Sequence, residues 1–157
     1  MTQAELKEQL KDAMRAKDAT RLSVIRGLMS AITNECVAKG YGPDGTLSDD
    51  EMLTVITRAA KQRKDSIEQF EQGGRPELAE SEKAELAILQ TMLPAQMSRD
   101  EIVAAAQAKA AELGIDPSTS VGADKTGVNQ LMGSLMKDLK GKADGTLVKE
   151  IVDSMFA

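Results

Sequence analysis

A chain of 157 residues with no histidine, no tryptophan, one cysteine and a formal charge of −5 leaves few chemistries open. Without histidine there is no Ser–His–Asp triad, no histidine metal site and no member of the commonest class of general base. Tyr41, Phe70 and Phe156 are the only aromatics, too few for a base-stacking platform, and the acidic balance requires any nucleic-acid contact to be local and salt-sensitive.

The length suits one globular domain, or two small ones sharing a core. Burial of roughly 70% of the unfolded surface is within reach without metal or disulfide. Thr2-x-x-Glu5, Ser48-x-x-Glu51 and Ser98-x-x-Glu101 each read as a capping box ahead of an apolar pattern of helical period. Thr2 opens a short helix carrying Leu6, Leu10 and Met14. Asp18 or Thr20 caps a second, in which Leu22, Ile25, Met29, Ile32 and Cys36 follow helical spacing. Val24, Leu28 and Ala31 widen that stripe, so burial on more than one side is expected. Gly27 in its middle is read as the close approach of a neighbouring helix. Cys36 is expected to be a core residue, because no histidine exists to activate it. A lone reduced cysteine fits a cytoplasmic protein. The opening Met-Thr-Gln-Ala-Glu-Leu-Lys lacks the apolar stretch of a signal peptide, and no run approaches the ~20 apolar residues of a membrane helix. A soluble protein with no membrane partner is expected.

Lys39-Gly-Tyr-Gly-Pro-Asp-Gly-Thr46 carries turn signals throughout. Ser48 then opens a long helix through Leu53, Ile56, Ala60, Ile67 and Phe70, ended by Gly73-Gly74, and Pro76 starts the next at its first position. That helix sets Leu78, Leu86, Leu89 and Leu93 opposite Glu77, Glu80, Glu82 and Glu85, and Leu93-Pro94 stops it. From Ser98 the chain turns alanine-rich, with Ile102, Val103, Ala106 and Ala110 on a helix closed by Gly114. A turn-rich stretch, 115 to 126, leads to two last helices. The whole reads as all-α: a four-helix N-terminal bundle (1–94) and a three-helix C-terminal part (95–157), divided near Pro94.

The carboxylates are scattered, and Asp49/Asp50 and Glu82/Glu85 read as cap and solvent-face acids. Gly122-Ala-Asp-Lys-Thr-Gly lacks the spacing of a phosphate loop and follows no strand. No cluster has metal-ligand spacing. No catalytic residue, cofactor or metal is expected.

Two basic clusters remain. Arg58, Lys61 and Lys64, with Arg63 beside them, lie on the long helix, where such stems cover core edges as readily as they meet a ligand. The second runs from position 125 to 149, where Lys125, Lys137, Lys140, Lys142 and Lys149 face only Asp138 and Asp144. A locally positive helix–turn–helix on an acidic protein is a candidate docking surface for a polyanion, although a solvated lysine face accounts for the same residues. Gly141 ends one of its helices and Asp144 is placed to cap the next. Gly133, inside a helix, lets a packed helix or a sugar–phosphate chain approach the backbone.

With these residues the chain resembles the GatB/YqeY family, and within it the stand-alone YqeY-like proteins. The resemblance spans essentially the whole chain. It is carried by Arg21-Leu-Ser-Val-Ile-Arg26, by Lys61-Gln-Arg-Lys-Asp-Ser-Ile67 with Gly73-Gly-Arg-Pro-Glu-Leu78, by Leu93-Pro-Ala-Gln96 and by the tail from Met132 to Val152. It implies a multihelical protein whose C-terminal three-helix part is similar to the tail domain of the B subunit of aminoacyl-tRNA amidotransferases. That tail contacts the outer corner of tRNA, while catalysis lies in other domains and in a partner amidase. Gly133, Lys137, Gly141, Lys142, Ala143, Leu147 and Val148 occupy the tail's motif positions. The family pattern often has arginine where this chain has Lys142, and glycine–lysine at Asn129-Gln130. Lysine keeps the charge without the bidentate fork, and Gln130 removes a charge.

The resemblance implies a non-catalytic accessory protein that binds tRNA or structured RNA through its C-terminal helices. One alternative is a helper of glutamine-dependent carbon–nitrogen ligase activity, in a Glu-tRNA or Asp-tRNA amidotransferase. Catalysis by the chain alone is disfavoured, since it has no nucleotide loop and no nucleophile–base pair. The other alternative is a helical module with a protein partner, docking through the acidic 77–85 helix or the methionine-containing tail.

Overall fold

Seven α-helices and no strand account for the regular structure among the described residues, in a computed structural model that describes residues 1–116 and 125–157, Lys125 through its backbone only. The all-α expectation holds. Most of the 115–126 turn-rich stretch, and much of the glycine-containing 122–127 segment, lie outside the described residues. The chain divides into two compact units, Met1–Pro94 and Ala95–Ala157. The first holds α1 (Gln3–Ala16), α2 (Ala19–Ala38), α3 (Asp49–Gln72) and α4 (Pro76–Thr91). The second holds α5 (Arg99–Glu112), α6 (Lys125–Asp138) and α7 (Gly145–Met155).

All three capping boxes form. The Glu5, Glu51 and Glu101 amides donate to the Thr2, Ser48 and Ser98 hydroxyls, and each glutamate accepts from its cap residue's own amide at 2.7–2.8 Å. Asp18 caps α2, accepting from the Arg21 amide at 2.9 Å, so Thr20 falls inside the helix. Gly74 takes a left-handed conformation (φ +68°) after α3, and Pro76 is the first residue of α4, where its missing N–H costs nothing.

The core of the first unit gathers Leu6, Val24, Ile25, Leu28, Ile32, Cys36, Met52, Val55, Ile56 and Leu89. Helix α2 buries Val24 and Leu28 as well as Ile25 and Ile32, as its double stripe predicts. Cys36 is fully enclosed and its thiol donates to the Gly45 carbonyl at 3.4 Å. Three expectations are corrected. Met14 is 55% exposed and Ala13 takes the inner position, because Leu6, Leu10 and Ala13 continue the stripe and Met14 lies about 100° round from Ala13. Gly27 faces solvent, with nothing within 4 Å of where a Cβ would stand, so no neighbouring helix requires it. Glu82 and Glu85 are not solvent-face acids: they are only 19% and 16% exposed and straddle Arg63 of α3, at 3.1 and 2.8 Å.

In the second unit the small residues Ala106 and Ala110 of α5 are fully covered, together with Ile102. Leu131, Leu135 and Leu139 come from α6 and the residue after it, and Val148, Ile151 and Val152 from α7. Each of the three helices packs on both others. Lys109 of α5 joins this packing electrostatically. Its ammonium lies 2.7 Å from Asp138 and 2.9 Å from Glu112, and these hydrogen-bonding carboxylates push its pKa up to about 12.

Candidate nucleic-acid interface

Burying Leu131 and Leu135 turns the opposite side of α6 outward. Asn129, Gly133, Met136 and Lys137 fall at i, i+4, i+7 and i+8 on that side, all exposed, and Lys140 follows in the turn. Nothing lies within 4 Å of where a Gly133 Cβ would stand. The packed-helix explanation of this glycine therefore fails, and its backbone is open to an approaching surface.

Beyond α6, the Leu139 amide donates to the Leu135 carbonyl at 2.8 Å, and the Lys142 and Ala143 amides both donate to the Leu139 carbonyl. Gly141 closes the turn at φ +75°, a left-handed conformation that a side chain would strain. The Gly141 carbonyl accepts from the Gln96 side-chain amide at 2.7 Å, and the Lys142 carbonyl from the Met97 amide at 2.7 Å. Asp144 then caps α7, accepting from the Thr146 amide at 2.9 Å. A Cβ at Gly145 would stand 2.9 Å from the Met136 methyl, the far end of a flexible, 44%-exposed side chain that can move aside.

The charges of this segment are unevenly compensated. Asp138 is taken by Lys109, which lowers its pKa through hydrogen bond and charge, and Asp144 is engaged as a helix cap. Glu150 of α7 pairs with Arg99 of α5 at 2.9 Å. Lys137, Lys140, Lys142 and Lys149 are exposed and have no ion pair among the described residues. Lys137, Lys140 and Lys142 are thus brought together with Gly133 along one helix and its turn, while Lys149 lies on α7. The side chain of Lys125 is outside the described residues.

The cluster on α3 is built differently. Arg58 pairs with Glu35 at 3.0 Å and Arg63 with Glu82 and Glu85, and Lys61 and Lys64 are exposed on the same helix. Half of these cations cement helices of the first unit, so the cluster does not present one open basic face. Gln96, Lys109 and Arg99 went unnoticed in the sequence as parts of the tail's architecture. Their partners are 45, 29 and 51 residues away, and no local pattern marks such pairs. Among the described residues, no group of three or more metal-ligating side chains converges.

A family model described as Yqey-like protein matches residues 3–156. The chain belongs to the Yqey-like family. Its curated relatives include "Altered inheritance of mitochondria protein 41, mitochondrial" of Lachancea thermotolerans, 44% identical over 57% of this chain and 46% of the relative. The protein of the same name in Kluyveromyces lactis is 40% identical over 63% of this chain and 53% of its own length. That in a Saccharomyces cerevisiae strain is 29% identical over 96% and 80%. This Yqey-like chain spans about half the length of the first two relatives. The relatives' mitochondrial names overturn the cytoplasmic expectation. A lone buried cysteine has no second thiol in the chain to pair with in any compartment, so it does not locate the protein. No described helix is long and apolar enough to cross a membrane.

Proposed function

We propose that this Yqey-like protein is a non-catalytic accessory factor that binds structured RNA, tRNA foremost, through α6 and the turn before α7. One observation carries the reading: the open α6 face, where solvent-facing Gly133 is followed by Lys137, Lys140 and Lys142, none of them ion-paired among the described residues. A helix face without aromatics contacts backbone and shape rather than unstacked bases. The preference for tRNA over duplex DNA comes from the resemblance to the amidotransferase tail. Three lysines neutralise about three phosphates, so affinity is modest and log K falls with log salt at a slope of about −2 to −3.

The test is titration of the protein with bulk tRNA at two salt concentrations, with duplex DNA as control, beside a Lys140→Glu/Lys142→Glu variant. Salt-sensitive binding that prefers tRNA and disappears in the variant, at unchanged helicity, is expected. Binding that survives charge reversal, or no binding even at low salt, overturns the reading and redirects the search to protein partners.

A further inference from the structure

The Leu93-Pro-Ala-Gln96 motif takes no part in the proposed RNA contact, yet its last residue reaches the lysine turn. Gln96 donates through Nε2 to the Gly141 carbonyl, and the next residue, Met97, donates its backbone amide to the Lys142 carbonyl, both at 2.7 Å. These carbonyls belong to the turn after α6, past its last residue, Asp138, and beside the two lysines. A backbone carbonyl oxygen carries partial negative charge, and outside a helix ladder it needs a donor of its own. A turn is a poor place to receive a phosphate unless such oxygens are turned away and satisfied.

We infer that Gln96 is a positioning residue for the polyanion-binding turn: with the Met97 amide it caps the carbonyls of Gly141 and Lys142, which orients Lys140 and Lys142 outward and removes the carbonyl charge a phosphate would meet. The inference rests on the RNA reading for its ligand, though not for its geometry. It gives the motif a role that no helix periodicity explains, because Gln96 precedes the Ser98 cap of α5 and belongs to no helix. Gln96 touches no phosphate in this scheme. The number of ions released on binding is therefore set by the lysines alone.

Two variants test it. Gln96→Leu removes the donor and leaves an apolar side chain, while Gln96→Glu puts an acceptor and a charge against the Gly141 carbonyl. Loss of one neutral hydrogen bond weakens tRNA binding about fivefold in Gln96→Leu, and Gln96→Glu weakens it further. The slope of log K against log salt stays at the wild-type value, far-UV circular dichroism is unchanged, and the melting temperature falls only by the few degrees that one lost hydrogen bond costs. Amide hydrogen exchange in the free protein speeds up at Met97, Lys142 and Ala143 and nowhere else in α5–α7. A generally loosened fold would lower the melting temperature and raise exchange throughout the unit. A change of slope by about one unit would make Gln96 a phosphate contact, and equal affinity would leave it no role in the turn. Either result overturns the proposal. If the wild type binds no tRNA, the RNA reading falls by itself. Exchange at Met97, Lys142 and Ala143 then decides the positioning role, and unchanged exchange in both variants sinks it.

Discussion

Gly27 and Gly133 are alike in what a methyl group would meet, which is nothing within 4 Å, and both sit inside helices where alanine is better by up to about 1 kcal/mol. Gly27→Ala and Gly133→Ala should therefore each raise stability by about 0.5–1 kcal/mol in urea unfolding. Their functional consequences should part. Gly133→Leu, on the face that carries Lys137, is expected to weaken tRNA binding, whereas Gly27→Leu leaves it unchanged. Equal effects of the two would remove close backbone approach from the binding account. Glu51 shows the other thing one residue can do. Its carboxylate accepts from the Ser48 amide, from Lys39 at 3.1 Å and from the Tyr41 hydroxyl, and these bonds hold its pKa down at about 2. A carboxyl that titrates near 4.5 when unfolded and near 2 when folded stabilises the protein fully above pH 4.5 and loses that contribution as pH falls toward 2. The difference in urea midpoint between wild type and Glu51→Gln should be constant from pH 7 to 5, narrow below about 4.5 and vanish near 2. A gap that persists at pH 2 would show that the Glu51→Gln variant is weakened for reasons other than the lost charge.

At the scale of elements, α3 and α4 are held by an apolar seam and by one arginine between two glutamates. Arg63 hydrogen-bonds Glu82, while its contact with Glu85 is an ion pair without a directed hydrogen bond to that oxygen. Truncation by Arg63→Ala leaves two part-buried carboxylates facing each other and should cost about 1–3 kcal/mol in urea unfolding. Arg63→Lys restores the charge but not the fork, so it recovers only part of the loss. An Arg63→Ala variant as stable as wild type would reduce the triad to a surface ornament. The helices themselves were legible because capping boxes and 3.6-residue stripes are local. The role of Glu82 and Glu85 was not, because an acidic run on a helix looks the same whether it meets water or an arginine 19 residues earlier.

For the molecule as a whole, the two apolar cores have no residue in common. The expectation is two cooperative units. Leu131→Ala, at a fully buried position, should destabilise the Ala95–Ala157 unit by about 2–5 kcal/mol while amide exchange at Ile25 and Ile56 of the first unit stays slow. Faster exchange in both units would mean one transition for the whole chain.

The sequence by itself determined the helices, the capped starts of α1, α3, α5 and α7, the enclosed Cys36 and membership of the Yqey-like family. Caps, apolar period and motif order are written within a few residues of one another. Only the tertiary structure decided which cations remain for a ligand. Arg58 and Arg63 are spent on Glu35, Glu82 and Glu85, and Asp138 is taken from the lysine segment by Lys109. It also decided that Gly27 and Gly133 face solvent, and that Gln96 holds a turn 45 residues downstream. The reason is the same in each case. Whether a charge is compensated, or a backbone covered, depends on what folding brings within about 4 Å, and the local pattern of a helix carries no record of its partner.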